Sequence, residues 1–306
     1  MDRGPQICAI LPAYNEALCL PDTVAELADT LREQFSCWEI LVIDDGSTDE
    51  TSMVLERLQS TIPELRWIRQ RRNFGKSEAL RTAFDAVDAD LVLLMDADGQ
   101  DDPAELAKLQ ARLDDGYDLV TGRRSIRHDR FVKRTTSKLY NWTTSKVSGV
   151  EGRDFNSGFK LMRGEVAKAL DMYGEMHRYI PPLAEFAGYR STEVEVNHRE
   201  RLAGRSKFGR SRFWRGFFDL LTVKFLTTYD ARPFHLIGAA GLLCGAVGSA
   251  LLAWMAVIRL SGGAIGTRPA LLIGVLLVVV SVQLMLVGLL AELVVKESRR
   301  RPSRSP

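Results

Sequence analysis

The sequence predicts an α/β fold: a mostly parallel sheet flanked by helices, then interfacial amphipathic helices and a C-terminal hairpin of two transmembrane helices. Three observations carry that reading. Short apolar runs that end in polar turn clusters alternate with amphipathic stretches through the first third, the signature of successive βαβ units. A cationic, aromatic stretch fills positions 199–232. Beyond it, two almost uncharged segments of about 25 and 22 residues are each long enough to cross roughly 30 Å of hydrocarbon.

The first strands are QICAILP, EILVIDD and DLVLLMDAD, which break into AYNE, GSTDE and GQDDP. DLVTG at 118–122 reads as a further strand, and FKLMR at 159–163 as a strand leading into a helix. Between them, 21–35, 49–59, 76–87 and 103–113 carry apolar residues at three- and four-residue spacing, with Pro21 and Pro103 suited to first helical turns. A helix over 132–147 would set Lys133 and Ser137 one turn apart on one face. In 199–232, nine Lys and Arg against three Asp and Glu are interleaved with Phe208, Phe213, Trp214, Phe217 and Phe218, a mixture suited to helices lying in a membrane interface. The two apolar segments, 234–258 and 270–291, come next. Gly238, Gly241, Gly245 and Gly248 recur at helical spacing on the first and make a small-residue face for another helix, within the hairpin or between subunits. Only Arg259 and Arg268 lie between the segments, whereas Lys296, Arg299, Arg300, Arg301 and Arg304 follow the second. The positive-inside bias therefore puts both termini and the N-terminal domain in the cytoplasm.

Charge composition narrows the function classes. The 306 residues hold 41 Lys and Arg against 39 Asp and Glu, a net of +2, so no nucleic-acid partner is expected and any cationic site must be local. With 46% hydrophobic and 26% charged residues the chain is far from a disordered composition. Cys8, Cys19, Cys37 and Cys244 share no CxxC spacing, which argues against a zinc site or disulfide framework and for free core thiols in a reducing compartment. The apolar run over 7–12 is too short for a signal peptide.

The densest chemistry lies in MDADGQDD, positions 95–102. If strand geometry persists that far, Asp96 and Asp98 point to one side; two carboxylates there repel unless a cation sits between them, and hard oxygen ligands select Mg²⁺ or Mn²⁺. Asp101 or Asp102 suits the cap of the helix that begins near Pro103. PAYNE (12–16) and DDGST (44–48) end two neighbouring strands at the same crevice, where open α/β sheets bind ligands. Asp44 or Asp45 either accepts hydrogen bonds from a ribose or base, or serves only as a turn residue or helix cap. RNFGKSEAL contains Gly75-Lys76-Ser77, yet a phosphate-binding loop needs glycine at position 70, which is Gln70. Lys76, at a helix start, still faces a nucleotide in this reading. No GxGxxG follows the first strand, which argues against a dinucleotide-binding dehydrogenase.

PAYNEA, VIDDGSTDET, NFGKSEAL and MDADGQDDP, in this order and at these separations, resemble the family 2 glycosyltransferases of the GT-A, Rossmann-like fold. With the basic amphipathic segment and two C-terminal spans, the chain resembles their polyprenyl-phosphate branch, the dolichol-phosphate mannose synthases and undecaprenyl-phosphate sugar transferases. The resemblance implies four parts: a cytosolic catalytic domain over 1–198, a basic active-site loop and juxtamembrane helices over 199–232, the transmembrane hairpin over 233–295, and a basic tail over 296–306. It implies that Pro12, Ala13, Tyr14, Glu16 and Asp45 line the nucleotide pocket, and that Asp96, Asp98 and Gln100 hold a metal and the donor diphosphate. DFNSGFKLM matches the family's segment after the sheet, with Asp154 as its acid and Lys160 where relatives carry arginine, a change that keeps the charge and loses a planar fork. Arg201, Gly204, Ser206 and Lys207 match the family's R-x-x-G-x-S-K loop, whose cations would offset leaving-group charge. Arg123, Lys133 and Ser137 match its acceptor-phosphate site by position.

The resemblance further implies an inverting, Mg²⁺- or Mn²⁺-dependent transfer of a sugar from a UDP- or GDP-linked donor to undecaprenyl or dolichyl phosphate. The setting would be the bacterial inner membrane, and the state a homo-oligomer, as homotetramers occur among relatives. His177, in EMHRYIPPL, is either a structural histidine or a sugar contact. Two alternatives stand beside this reading: a family 2 enzyme with a glycolipid or polysaccharide acceptor, against which the missing Q-x-x-R-W motif argues, and a non-catalytic membrane scaffold.

Overall fold

A computed structural model describes residues 6–124, 157–172, 174, 176–199, 233–264, 266 and 268–300. The helix expected over 132–147, the amphipathic segment beyond residue 199 and the tail from 301 lie outside these residues, as do Lys133, Ser137, Asp154, Arg201 and Lys207.

β1 (Ile7–Ala13) has no charged residue and is buried along almost its whole length, so both of its faces need cover and both of its edges a partner. Parallel β2 (Trp38–Asp44) and β4 (Leu91–Leu94) flank it, in the registers Ile7↔Trp38 and Ile7↔Leu91. The β1–β4 pairing ends at Ile10↔Leu94. Pro12, with no N–H to give, lies past that point, where the two strand ends can part. β3 (Leu65–Arg69) extends the sheet beyond β2. On the other side β6 (Lys160–Arg163) pairs antiparallel with β4 and with β5 (Leu119–Arg124), and β7 (Ser191–Val196) closes the order β3-β2-β1-β4-β6-β5-β7. The expectation of a mostly parallel sheet holds, with β6 as the reversed strand. β3 and β7 were not announced by the pattern: LRWIR puts Arg66 and Arg69 on opposite faces, and STEVEV, though it alternates, has only two strongly apolar residues.

Four helices bury one apolar face each against this sheet. α1 (Leu20–Gln34) starts with Pro21 in its first turn and buries Leu20, Val24, Leu27, Ala28 and Leu31. α2 (Thr51–Thr61), α3 (Lys76–Ala86) and α4 (Leu106–Asp114) follow β2, β3 and β4. Two short helices, α5 (Gly164–Ala169) and α6 (Ile180–Phe186), flank a 3₁₀ turn at Met176–Arg178. Cys8 and Cys19 are buried in this unit as expected, and Cys37 corrects the core-thiol reading by lying exposed.

A second unit contains α7 (Pro233–Leu260) and α8 (Pro269–Arg300). Within them Ile237–Leu260 and Pro269–Val294 are long and apolar enough to cross a membrane, and only 17% and 11% of their most apolar windows are buried. Leu242, Leu243, Trp254, Leu276, Leu286 and Leu290 stand exposed. A core helix of a soluble protein would hide such side chains. The glycine face is used inside the hairpin. A Cβ on Gly245 would stand 2.6 Å from Ser281 Oγ, and one on Gly248 would stand 3.0 Å from the Gly274 carbonyl oxygen. Of the two uses expected for this face, packing within the hairpin is the one realised.

Replacing Gly245 by Leu should therefore force the two helices apart and cost about 1–3 kcal/mol, read as a lower thermal midpoint of the detergent-solubilised chain. Leu243→Ala, on the outward face, should leave it within experimental error. Equal midpoints for wild type and Gly245→Leu would overturn this packing.

Candidate active site

Three turn clusters meet where β1, β2 and β4 end, and backbone donors stitch the first two together. Asn15 holds the only positive φ among the described non-glycine residues, 57°, a conformation asparagine tolerates. There its Oδ1 accepts from Thr48 N at 2.8 Å while its own N donates to Ser47 Oγ at 2.9 Å. Glu16 N donates to Thr51 Oγ1 at 3.1 Å. Pro12, Tyr14 and Glu16 are half-buried along this edge, and Ala13 is buried.

The neighbouring aspartates divide their work. Asp44 is fully buried; its Oδ1 accepts from Ser47 N at 2.8 Å and its Oδ2 from Ser52 Oγ at 2.7 Å. Of the two expectations, the turn role is the one this placement satisfies, and Asp44 does not open to a ligand. Asp45 accepts from Phe74 N at 2.7 Å and Gly75 N at 2.9 Å, so it holds the loop before α3. Burial raises its pKa, and those two N–H groups oppose the rise. Gly46 lets this loop approach: its φ is +67°, and a Cβ there would collide with the backbone at Arg72 and Asn73.

β4 ends at Leu94, before the acidic run, and this corrects the expectation that Asp96 and Asp98 share a side through strand alternation. Asp96 turns toward α3, where the Lys76 ammonium pairs with its Oδ1. The cation that offsets Asp96 is thus a lysine. Burial would raise the Asp96 pKa, but Lys76, then Lys160, pull it below the usual carboxylate range. The remaining Asp96 oxygen lies against Gly158, where any Cβ would overlap the carboxylate. Asp98 and Asp101 are buried. Asp98 Oδ1 accepts from Gln100 N at 3.3 Å, and Asp101 Oδ2 accepts from Asp96 N at 3.2 Å. Burial, and next to it the charge of Asp96, push the Asp101 carboxyl up to about 7. Asp102 caps the turn at Pro103–Glu105 by accepting from Ala104 N.

The crowding of Asp96, Asp98 and Asp101 leaves this loop with more negative charge than Lys76 offsets, a setting that fits a divalent cation. Among the described residues, however, no three His, Cys, Asp or Glu side chains are arranged to hold one. The loop thus suits a cation that takes few protein ligands and fills its shell with phosphate and water oxygens, as Mg²⁺ does.

Opposite Asp96, Lys160 opens β6 with only 2% of its surface exposed, and its ammonium donates to the Ser157 carbonyl. Ser77, in the first turn of α3, meets His177: Ser77 Oγ lies 2.9 Å from Nδ1 and accepts from His177 N at 3.1 Å. Burial, then the Lys76 and Arg178 charges, hold the His177 pKa well below its usual value. Pro12, Lys76, Asp96, Ser157, Gly158, Lys160 and His177 line one small cavity. Arg123, at the end of β5, pairs with Glu195 at 2.7 Å.

Sequence reasoning missed Arg199. Its guanidinium grips both carboxylate oxygens of Glu26 on α1, at 2.7 and 2.6 Å, and reaches Asp102 at 2.9 Å. Its N donates to the Gln100 carbonyl at 2.8 Å, and Asp101 and His198 form a β-bridge. The partners lie 173 and 97 positions away in sequence, so no local signal marks them. Ser77 was read only as part of a failed phosphate-loop pattern.

Residues 8–171 match the model of glycosyl transferase family 2. The dodecaprenyl-phosphate galacturonate synthase of Rhizobium johnstonii is 33% identical over 95% of this chain and 88% of its own. The undecaprenyl-phosphate 4-deoxy-4-formamido-L-arabinose transferase of Proteus mirabilis is 31% identical over 94% of this chain and 87% of its own. Among solved structures, glucosyl-3-phosphoglycerate synthase of Mycobacterium tuberculosis with phosphoglyceric acid superposes with a TM-score of 0.56 at 20% identity, covering 73% of this chain and 80% of that one. The same enzyme with Mn²⁺ and UDP-glucose gives 0.53 at 19% identity, covering 73% and 79%. Fold, motif order and end-to-end similarity agree: this chain belongs to glycosyl transferase family 2.

Proposed function

We propose that the chain is an inverting glycosyltransferase that moves a sugar from a nucleotide sugar to a polyprenyl phosphate in a membrane. One observation carries the reading: two polyprenyl-phosphate sugar transferases match this chain along 95% and 94% of its length, so the likeness takes in the apolar hairpin as well as the sheet domain. A water-soluble donor and a lipid acceptor require that combination.

A phosphate monoester is already an anion at neutral pH, so its oxygen attacks the anomeric carbon without a strong general base. The bond from that carbon to the donor diphosphate breaks with its electron pair, and attack from the opposite face inverts the centre. Positioning is the chain's main task. Pro12, Ala13, Tyr14, Glu16 and the Asp45-held loop would receive the nucleotide. Asp98 and Gln100 would hold Mg²⁺ or Mn²⁺, which when bound neutralises developing charge on the diphosphate. Asp96, already matched by Lys76, would face the sugar side of the crevice. Arg201 and Lys207 would stabilise the leaving diphosphate, Asp154 would contact the sugar or acceptor, and Arg123, Lys133 and Ser137 would hold the lipid phosphate through charge-assisted hydrogen bonds. The hairpin and its flanking cations support an inner-membrane location with the sheet domain and both termini in the cytoplasm. Mn²⁺ and UDP-glucose in a structural neighbour support a metal and favour UDP over GDP.

The purified full chain, given labelled UDP- and GDP-sugars with Mg²⁺ or Mn²⁺, should form a labelled lipid from undecaprenyl or dolichyl phosphate. Absence of lipid product across the donor panel would overturn the reading. Asp98→Ala should lower that rate about 10²–10³-fold, as loss of one charge-stabilising group does, with an unchanged thermal midpoint; full activity would remove Asp98 from the site. Gly158→Ala should displace the Asp96 carboxylate and raise the KM for the donor while the KM for the lipid stays put. An unaltered donor KM would show that Asp96 has no part in donor binding.

A further inference from the structure

The cavity between Lys76, Asp96, Ser157, Lys160 and His177 measures about 10 Å³, room for one water-sized group. Its lining is rich in donors: two lysines and an imidazole surround the single carboxylate of Asp96. The protonation of that imidazole follows from Ser77. Ser77 is 1% exposed, and its Oγ already accepts from His177 N. The hydroxyl proton still needs an acceptor, and His177 Nδ1 at 2.9 Å is the one hydrogen-bond partner recorded for it among the described residues. The opposite arrangement, Nδ1–H donating to Ser77, would leave a buried hydroxyl proton unmatched, a costly state. The neutral ring therefore carries its proton on Nε2, and the residue is one of those that line the cavity.

We propose that this cavity recognises one oxygen substituent of the transferred sugar, and that His177 makes the contact by donating from Nε2–H while Ser77 fixes the ring's tautomer. The inference rests on the reading of the chain as a sugar transferase, and it narrows that reading to donors that bring a hydrogen-bond-accepting oxygen, hydroxyl or carboxylate, to the cavity. Lys76 and Lys160 strengthen the hold on either, and on a carboxylate more. Ser77 is a positioning residue here and His177 the substrate-binding one.

Titration of the detergent-solubilised full chain with Mg²⁺ and UDP, GDP, UDP-glucose, UDP-galactose, UDP-galacturonate and GDP-mannose tests this. The wild type should bind at least one of the sugar nucleotides more tightly than the matching free nucleoside diphosphate. His177→Leu should lose about tenfold of that sugar-dependent gain and leave affinity for the free diphosphate unchanged. His177→Gln, whose side-chain amide can donate from about the same place, should keep most of the gain. Ser77→Ala should lose part of it, and Ser77→Thr, with its hydroxyl, should not. Nitrogen-15 spectra of histidine-labelled wild type should show His177 protonated at Nε2, with the preference relaxed in Ser77→Ala; this readout needs no ligand and no folded His177 variant. UDP-galactose and UDP-galacturonate differ only at C6, so a larger His177→Leu loss with the uronate assigns a carboxylate and an equal loss a hydroxyl. A proton on Nδ1, or a His177→Leu protein that binds every sugar nucleotide as the wild type does, overturns the inference and leaves the proposed function standing. A wild type that binds none of the six overturns both.

Discussion

Everything at the sheet edge depends on how the carboxylates after β4 are kept from repelling one another. An isolated cluster of Asp96, Asp98 and Asp101 at the end of a buried strand would be driven apart or protonated. Lys76 removes the worst of this by pairing with Asp96 from the first turn of α3. Its position there follows from the preceding loop, because Asp45 takes the Phe74 and Gly75 N–H groups and fixes where α3 begins. Gly46 and Gly158 then supply the two close approaches that a side chain would forbid, one toward the Arg72–Asn73 backbone and one toward the Asp96 carboxylate. Lys76 thus answers the charge of Asp96, and in the proposed reading Asp98 and Gln100 hold a divalent ion beside it.

That division explains what could be read from the residues and what could not. The βαβ order was legible because the strands β1, β2 and β4 are almost uncharged runs that stop at abrupt polar clusters. The hairpin was legible from length and hydropathy alone. β3 and β7 escaped because they are short and charged: Arg66 and Arg69 break the alternation of the first, and Glu193 and Glu195 leave the second only two strongly apolar residues. The acidic run announced a site, but its internal geometry did not follow: alternation predicts a shared side only while the strand lasts, and the strand ends two residues before Asp96. Asp44 and Asp45 are adjacent and chemically identical, and only tertiary hydrogen bonds show that the first is sealed under α2 and the second anchors a loop. The same limit hid Ser77 and His177, whose contact joins residues 100 positions apart.

Within the hairpin, a similar competition decides the use of the glycine face. A stripe of Gly241, Gly245 and Gly248 can serve any helix that comes close, and the helix connected by the shortest tether has the highest effective concentration. α8 takes the stripe, with Ser281 and Gly274 seated where side chains would otherwise stand. Any contact between copies of the chain must then be sought on other surfaces.

Arg199 completes the account of the sheet domain by joining parts that the sheet alone leaves independent. The loop after β4 is held at its ends by β4 and by the turn at Pro103–Glu105, and near its start by Lys76. Pairing of Gln100 and Asp101 with Arg199 and His198 adds a further support, and the guanidinium locks it to α1 through Glu26 and to the loop through Asp102. An arginine suits this place because its planar fork satisfies both oxygens of one carboxylate and still reaches a second, which a lysine ammonium cannot do with fixed geometry. Arg199 and Glu26 are half-exposed, so their pair draws little stability in water. Its consequence is positional: Arg199, two residues before the R-x-x-G-x-S-K motif, is fixed against Gln100 and Asp102. The chain therefore leaves the described sheet domain toward that motif from a point held on the acidic loop itself.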